Sequence, residues 1–411
     1  MVHENEPRKP APRALGDNKW GIYLHIPFCS RICSYCDFSK TARYDTHQVD
    51  QYFSMIGQQL RSWFQWLQQE HGKIPRFESV FFGGGTPGLF GTEYAPILAE
   101  MSDHLTADAE ISIEVNPENV TDENCRVWRR LGFNRISMGV QTFEVSGLLG
   151  MGRSHSPSDA LRAIDIIRRH FSNHNIDLIY GWQGQSMPQW ESDLMAATAA
   201  GVPHLSLYNL IFESGTPLGK RASRTGEAFH PDERLDEMYQ LACEALGRSG
   251  YEHEEVSNWS KPGFSCAHNW LYWHNDTYIG VGAGAHGHVI DGNGVHWRSS
   301  YTKNWRRFLR NAKDLNASRP DNWSPEVGQF EQQQTHEVLI DTIATGLRTK
   351  DGVSNRQLEL LSGRQIQPTP AIQLALTNGK VMMAEERIRL NRAEWFREQY
   401  WAVELLRSFD P

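Results

Sequence analysis

The sequence predicts an α/β protein: a partial, TIM-like barrel of parallel strands followed by a smaller α+β domain. Two observations carry the barrel. Short apolar strand patterns alternate with helical patterns through six units up to Leu210, an alternation that argues for parallel pairing with helices outside. A doubly wound sheet satisfies it equally. The second observation separates the two, because polar motifs follow successive strands: cysteines after the first, glycines after the second, Asn116-Pro117 after the third and Gln141 after the fourth. In barrel-like folds the carboxyl ends of the strands converge on one face, and chemistry is placed there. The smaller domain rests on a third observation, a break at NASRPDNWSP, residues 316–325, followed by short helices and a ribbon.

Residues 1–17 read as a disordered tail and 18–315 as the barrel with its extension. After a first strand and the cysteine loop, Val49 to His71 has helical spacing, with Tyr52, Phe53, Ile56, Leu60 and Phe64 on one stripe. Strands are expected at Ser79–Phe82, Glu110–Val115, Arg135–Val140, Ile176–Tyr180 and His204–Leu210. Helices are expected at Glu93–Leu105, Asp122–Leu131, Pro157–Phe171, Pro188–Ala200, Pro231–Gly250 and Thr302–Asp314. The stretch from 250 to 300 is rich in aromatic residues and glycine and shows no clear period. Residues 326–411 give helices at Thr335–Gly346, Asn355–Ser362 and Pro370–Thr377, the ribbon VMMAEERIRL and a last helix, a winged-helix-like order. The role expected of this domain is packing against the barrel.

A formal net charge of −8 over 411 residues argues against nucleic acid as a partner. No apolar run approaches the roughly 20 residues of a membrane helix, and the polar start lacks the apolar core of a signal peptide. Six cysteines, three of them isolated, do not make a disulfide framework in a chain of this size, so a reducing, cytoplasmic setting is expected.

Cys29, Cys33 and Cys36 stand in the order C-x3-C-x2-C directly after the apolar run ending at Phe28. A closed zinc site and a fully protein-ligated iron–sulfur cluster both want four ligands. Three thiols on one loop therefore suit a [4Fe–4S] cluster with one iron left open; zinc, or three packed core cysteines, are the other readings. With Tyr35 before the last cysteine, the motif resembles the signature of the radical S-adenosylmethionine (SAM) superfamily. The wider string Tyr23-x-His25-Ile26-Pro27-Phe28-Cys29 is similar to the group that contains oxygen-independent coproporphyrinogen III dehydrogenase and the HemW-type haem chaperones. The resemblance implies a (β/α)6 partial barrel, a cluster held by the three cysteines, and SAM on the open iron.

It also implies which residues meet SAM. Gly83-Gly84-Gly85-Thr86-Pro87 closes the second strand, where glycines let backbone approach a ligand. Taken alone such a run is more often a tight turn; its place after the cysteine loop resembles the family's site for the SAM amino group. Glu114 alternates with Ile113 and Val115, so it faces the barrel interior, where an unpaired carboxylate is expensive. Gln141, Arg153 and Asp177 are an amide, a cation and a carboxylate of the kind that fix a polar cofactor, although Arg153 and Asp177 can equally pair with each other. With Tyr23, Tyr35, Gly84, Gly85 and Thr86 they match the residues lining two SAM sites in the dehydrogenase group. One departure is Trp182-Gln183-Gly184-Gln185, where the family has Leu-Pro-Gly-Gln, which puts the shape of the local pocket in doubt.

His268-Asn269-Trp270-Leu271-Tyr272-Trp273 resembles the HNxxYW string of the HemW-type chaperones. It joins a possible iron ligand to aromatic residues that can stack on a macrocycle, and His268 is the expected haem ligand, ahead of His286 and His288. The dehydrogenases carry a fourth cysteine where this chain has Phe38. Both features point to a haem chaperone without coproporphyrinogen dehydrogenase activity. The implied partners are haem and haem-accepting apo-proteins, respiratory ones at the membrane surface among them. The alternative is the dehydrogenase, which decarboxylates porphyrinogen propionates by a 5′-deoxyadenosyl radical; a radical SAM enzyme that degrades haem is a third reading.

Overall fold

The side chains of a strand point alternately to its two faces, and here that alternation sorts the barrel into an apolar outside and a polar inside. The computed structural model describes residues 19–225, 230–311, 324, 326–384 and 386–409; the expected tail and most of the expected linker lie outside them. Strands β1 (Trp20–Ile26), β2 (Phe77–Gly84), β3 (Leu105–Val115), β4 (Arg135–Gln141), β5 (Asn173–Tyr180) and β6 (His204–Asn209) pair in parallel, in sequence order. Outward go Ile22, Leu24, Ile26, Val80, Phe82, Ile113, Ile136, Met138, Val140, Ile176, Leu178 and Leu205, all fully buried in the main core. Inward go Tyr23, His25, Ser79, Glu114, Ser137, Asp177, Ser206 and Tyr208. Each buried aliphatic side chain contributes roughly 1.5–3 kcal/mol, so a one-residue slip of any strand exchanges its apolar face for its polar one.

The outer face is covered by helices α1 (Thr46–His71), α2 (Ala95–Met101), α3 (Asp122–Arg130), α4 (Val145–Met151), α5 (Pro157–His170) and α6 (Met187–Ala199), of which α4 instead lies by the carboxyl ends. Helix α1 starts three residues ahead of the expected Val49 because Asp45 and Gln48 close a capping box, and Gly72 ends it at φ 71°. The helix expected over Glu93–Leu105 is a seven-residue α2 between two 3₁₀ turns. Leu105 already belongs to β3.

After α7 (Pro217–Thr225) and α8 (Asp232–Arg248), the aperiodic stretch proves to be sheet. Strand β8 (Asn258–Ser260) adds antiparallel to β6 and β7 (Glu252–Glu255) antiparallel to β8, and helix α9 (Ala267–Trp273) follows, packed on β1 and β2. On the opposite edge β9 (Thr277–Val281) runs parallel to β1, and β10 (His286–Ile290), β11 (His296–Tyr301) and β12 (Gly328–Gln332) extend it antiparallel, giving twelve strands. The basic helix expected at Thr302–Asp314 is α10, Trp305–Arg310, among the described residues. Because β12 pairs with β11, the chain is still in the large sheet beyond residue 326, the expected start of the second domain.

The second core begins with α11 (Thr335–Leu347) and includes α12 (Asn355–Ser362), α13 (Pro370–Thr377) and α14 (Glu398–Arg407). The expected ribbon, β14 (Val381–Met383) with β15 (Arg387–Leu390), gains a third strand, β13 (Val353–Ser354). This winged-helix-like module is bolted to the barrel edge. Val256 N donates to Arg348 O at 3.0 Å and Lys350 N to Glu254 O at 2.9 Å. The Arg348 guanidinium reaches the buried Glu255 carboxylate at 2.9 and 3.1 Å and lies 4.0 Å over the Trp273 ring.

His253 sits at that joint, stacked on Trp259 with centroids 4.0 Å apart and edge-on to Trp395 at 4.4 Å. Burial holds its pKa down at about 3. Between that value and the ordinary one near 6.5 the unfolded chain binds the extra proton, so stability falls as pH drops through this window. We expect the wild type to lose about 2 kcal/mol at about pH 5 through this group. Chemical denaturation from pH 7 to 5 should show a correspondingly smaller loss in His253→Phe.

Candidate functional site

The site begins where β1 ends. Past Ile26 the chain turns into the cysteine loop, and the turn after β2 runs alongside it: Gly85 N donates to Ile26 O at 2.7 Å and Thr86 N to Phe28 O at 2.8 Å. The glycines have a local reason beyond ligand approach. A Cβ on Gly84, which sits at φ 114°, would stand 2.6 Å from the His25 ring, and one on Gly85 would stand 2.8 Å from the Phe28 carbonyl. Gly84 N donates to Glu114 Oε2 at 2.9 Å, so the turn also holds an inner-face carboxylate.

The loop is fixed on its other sides as well. Cys29 N donates to Thr41 O at 2.9 Å, Ser34 N to Met151 O at 3.1 Å and Leu218 N to Ser34 O at 2.9 Å. All six cysteines are free thiols. Cys29 is buried, while Cys33 and Cys36 are partly exposed. Burial, eased by Thr86, and then the charges of Cys36 and Cys33 push the Cys29 thiol up to about 11. Among the described residues no three His, Cys, Asp or Glu side chains converge on the position of a single metal ion. Cys29, Cys33 and Cys36 are free thiols on one loop tied at Thr41, Met151 and Leu218, a donor set of the kind that would hold a [4Fe–4S] cluster with one iron open, whereas a structural zinc ion wants four ligands.

Behind the loop the inner face is polar, and the expected residues gather on it. The Tyr23 hydroxyl donates to His25 Nδ1 at 3.1 Å, and His25 Nε2 donates to Ser39 O at 2.7 Å. Burial holds His25 neutral, with a pKa near 4, which leaves Nδ1 free to accept. Glu114 is pushed up to about 7 by burial and by Asp177; Asp177, up to about 6 by burial, accepts from Asn175 Nδ2 at 2.9 Å. Arg153 does not pair with Asp177. Its guanidinium donates to Asn116 Oδ1 and Gly139 O, both at 2.7 Å, and approaches Cys33 Sγ at 3.5 Å, leaving its Nε buried without a partner. Gln141 is held at φ 74°, a left-handed conformation that costs a non-glycine residue of order 1 kcal/mol and clusters at functional sites. Its amide lies over Gly139, where a Cβ would stand 2.7 Å from Nε2.

Trp182 does not enter this space. It is buried with Met151 and Ile179 against Tyr35 and Leu210, and a Cβ on Gly147 would meet its ring at 2.7 Å. The indole that departs from the family pattern thus backs Tyr35. Two inner-face residues were absent from the sequence-based set: Asn116, which orients Arg153, and Tyr208, on the same face as Asp177 and Ser206. Alternation along β6, with Ser206 and Tyr208 two residues apart, was the available signal for Tyr208.

His268 lies at the other end of the barrel. Helix α9 plugs the amino-terminal end of the strands: Glu110 accepts from Ala267 N at 3.1 Å and His268 N at 3.4 Å, and a Cβ on Gly21 would meet Leu271 at 2.3 Å. The His268 ring is buried, with Nδ1 bonded to Ser79 Oγ at 2.8 Å and Nε2 to the Tyr272 hydroxyl at 2.9 Å. It stacks on Phe81 at 5.4 Å and Tyr23 at 6.4 Å. Burial and then Arg135 hold it neutral, with a pKa near 3. Of the two other histidines considered, His288 is buried between Asp276 O and His296 Nδ1, both at 2.9 Å, and His286 is exposed.

The radical SAM superfamily profile matches residues 23–196. The chain is 36% identical over 360 residues to heme chaperone HemW of Mycobacterium tuberculosis, covering 86% of this chain and 88% of the relative. It is 33% identical over 363 residues to the mitochondrial radical S-adenosyl methionine domain-containing protein 1 of Bos taurus, covering 85% and 77%. Coproporphyrinogen III oxidase (HemN) of Escherichia coli superposes with a TM-score of 0.74 at 19% identity, over 96% of this chain and 90% of that one, a likeness of fold. Among the described residues no helix is long and apolar enough to cross a membrane.

The seam between the glycine turn and the cysteine loop makes a graded prediction. Gly85→Ala pushes a Cβ into backbone and Gly84→Ala adds a forbidden φ, so each is expected to lower stability by about 2–4 kcal/mol. Gly57→Ala on α1, whose nearest neighbour is a side-chain end 3.7 Å away, should be neutral or better. Thermal unfolding of the three variants ranks them.

Proposed function

The chain belongs to the radical SAM superfamily and, within it, to the HemW group, and from that membership we propose a cytoplasmic haem chaperone that binds a [4Fe–4S] cluster, SAM and haem and delivers haem to acceptor proteins, including respiratory ones at the membrane surface. The observation that carries this reading is the 36% identity, over 88% of its length, with a relative that bears the name heme chaperone. The HNxxYW string and Phe38 in place of a fourth cysteine support it. The likeness to coproporphyrinogen III oxidase is one of fold and brings no activity with it.

In this proposal Cys29, Cys33 and Cys36 hold the cluster, and Tyr23, Tyr35, Gly84, Gly85, Thr86, Glu114, Gln141, Arg153 and Asp177 form the SAM site. Bound there, the pair supplies one-electron chemistry at a carbon–sulfur bond. The residues themselves do simpler work. Arg153 places a cation beside Cys33, where thiolate charge gathers. Glu114 and Asp177 offer acceptors to amine and hydroxyl groups, and the apolar wall of Tyr35, Ile179 and Trp182 limits water on that side.

Haem ligation by His268 asks for movement. Both ring nitrogens are engaged, and Trp273 of the same helix lies under Arg348. Freeing the imidazole therefore means turning α9 away from Ser79 and lifting the C-terminal module from Trp273. Haem uptake should then be slow and limited by that opening.

Anaerobic reconstitution with iron and sulfide counting, followed by haem titration and a coproporphyrinogen consumption assay on the same sample, tests the reading. We expect about four irons per chain, haem uptake, and no coproporphyrinogen consumption. His268→Ala should change the Soret band and weaken haem binding at least tenfold. Arg348→Ala should speed uptake while leaving the final spectrum unchanged. An identical Soret band and affinity in His268→Ala would remove His268 as ligand.

A further inference from the structure

From Asp177 in the barrel interior a single run of buried hydrogen bonds leads to the C-terminal module. Asp177 Oδ1 accepts from Asn175 Nδ2 at 2.9 Å, and the same amide donates to Ser206 Oγ at 3.2 Å. Ser206 Oγ donates in turn to Asn258 Oδ1 at 2.9 Å, and Asn258 Nδ2 donates to Glu255. Glu255 closes the run on Arg348 of the module. Strand pairing sets this order: Asp177 lies opposite Ser206 across β5 and β6, and Ser206 opposite Asn258 across β6 and β8. Asn175, Ser206, Asn258 and Glu255 are each at most 4% exposed, so every one of them depends on its neighbours for hydrogen bonds.

Two charges fix the direction of these bonds. A carboxylate only accepts, so Glu255 turns the Asn258 amide with Nδ2 toward itself and Oδ1 toward Ser206. A guanidinium only donates, so the buried Arg135, with Nη2 2.7 Å from Asn175 Oδ1, turns that amide with Nδ2 toward Asp177. Ser206 stands between, close enough to Asp177 to ease its charge, and its one hydroxyl proton serves either Asn258 or Asp177. While Asn258 presents its oxygen, the proton goes there, and the Asp177 lone pairs on that side remain for a ligand.

We propose that the seating of the C-terminal module sets the SAM affinity of the barrel, with Asn258 and Ser206 as the positioning residues that carry the coupling. This rests on the SAM site of the function proposed above and is independent of haem. With Arg348 withdrawn, Glu255 is a buried carboxylate without a cation, which neutralises or draws in water. Asn258 thereby loses the acceptor that orients it. Its amide turns, the Ser206 hydroxyl swings to Asp177, and the site offers SAM one acceptor fewer. The seated module therefore binds SAM more tightly, and by reciprocity SAM holds the module closed over Trp273 of the plug helix.

Equilibrium dialysis of SAM against the anaerobically reconstituted chain, with iron and sulfide counted on every sample, is paired with amide hydrogen exchange. We expect Arg348→Ala to weaken SAM binding about fivefold or more, and Asn258→Leu, which removes the amide at similar volume, to do the same. In the double variant the two losses should not add. Lys350→Ala deletes a more exposed pair, with Glu252, at the same joint and should stay within about twofold. In the wild type SAM should slow exchange of the Val256 and Lys350 amides, which bond across the joint; in Asn258→Leu it should leave them unchanged. Unaltered SAM affinity in Arg348→Ala, additive losses in the double variant, or joint amides indifferent to SAM in the wild type would each overturn the proposal. The last of these needs no substitution, so a variant that fails to fold does not shelter it. A wild-type chain that takes up iron and sulfide yet binds no SAM brings down the SAM site as well, and its dialysis registers that before any variant is compared.

Discussion

Everything at the mouth of this barrel depends on a seam two hydrogen bonds wide. The carbonyls of Ile26 and Phe28 would be orphaned as β1 runs out into an irregular loop, and an unpaired buried carbonyl is costly. Gly85 and Thr86 fill both. That pairing demands backbone-to-backbone approach without side chains between, and it fixes where the cysteine loop departs. The same turn gives Gly84 N to Glu114, so thiols, turn and inner carboxylate form one rigid unit. Glycines that read in the sequence as a ligand cradle are in the structure first a joint between two strands.

Much of this was legible in the residues because the barrel obeys a simple rule. Each strand of the first six units alternates, and ISIEV announced both the buried Ile113 and the inward Glu114 before any fold was in hand. Capping residues refined the helix ends, as Asp45 and Gln48 do for α1. What escaped was structure held by long-range pairing. The strands between residues 252 and 332 are edge additions, short and rich in histidine and glycine, whose apolar period is broken by tight hairpins: a Cβ on Gly280 would stand 2.1 Å from the His286 carbonyl. The helix α4 was missed because Gly147 and Gly150 dilute its pattern. Burial of Trp182 was invisible too, since the cavity it fills is assembled from β5, α4 and the cysteine loop.

The location of His268 was the least readable point. Motif logic groups it with the cysteines as chemistry, and both do face the interior of one barrel, yet they occupy opposite ends. Strand β1 joins them, with Gly21 leaving room for α9 at one end and Tyr23 and His25 leading toward Ser39 at the other. Tyr23 meets both, stacking near His268 and bonding His25. The polar interior is thus continuous from plug to mouth, which a doubly wound sheet, with helices on both faces, would not have provided.

The bolted C-terminal module has a consequence for how the chain can be divided. Glu255 is buried and its charge is met by Arg348, which belongs to that module, and His253 shares its ring contacts between Trp259 and Trp395. Cut before Thr335, the remaining piece would leave that buried carboxylate to Ser257 N and Asn258 Nδ2 with no cation opposite it, and would strip Arg348 from Trp273 of the plug helix. The C-terminal module is therefore the closing stone of the barrel, and shortening the chain to the barrel alone would open the vault from beneath.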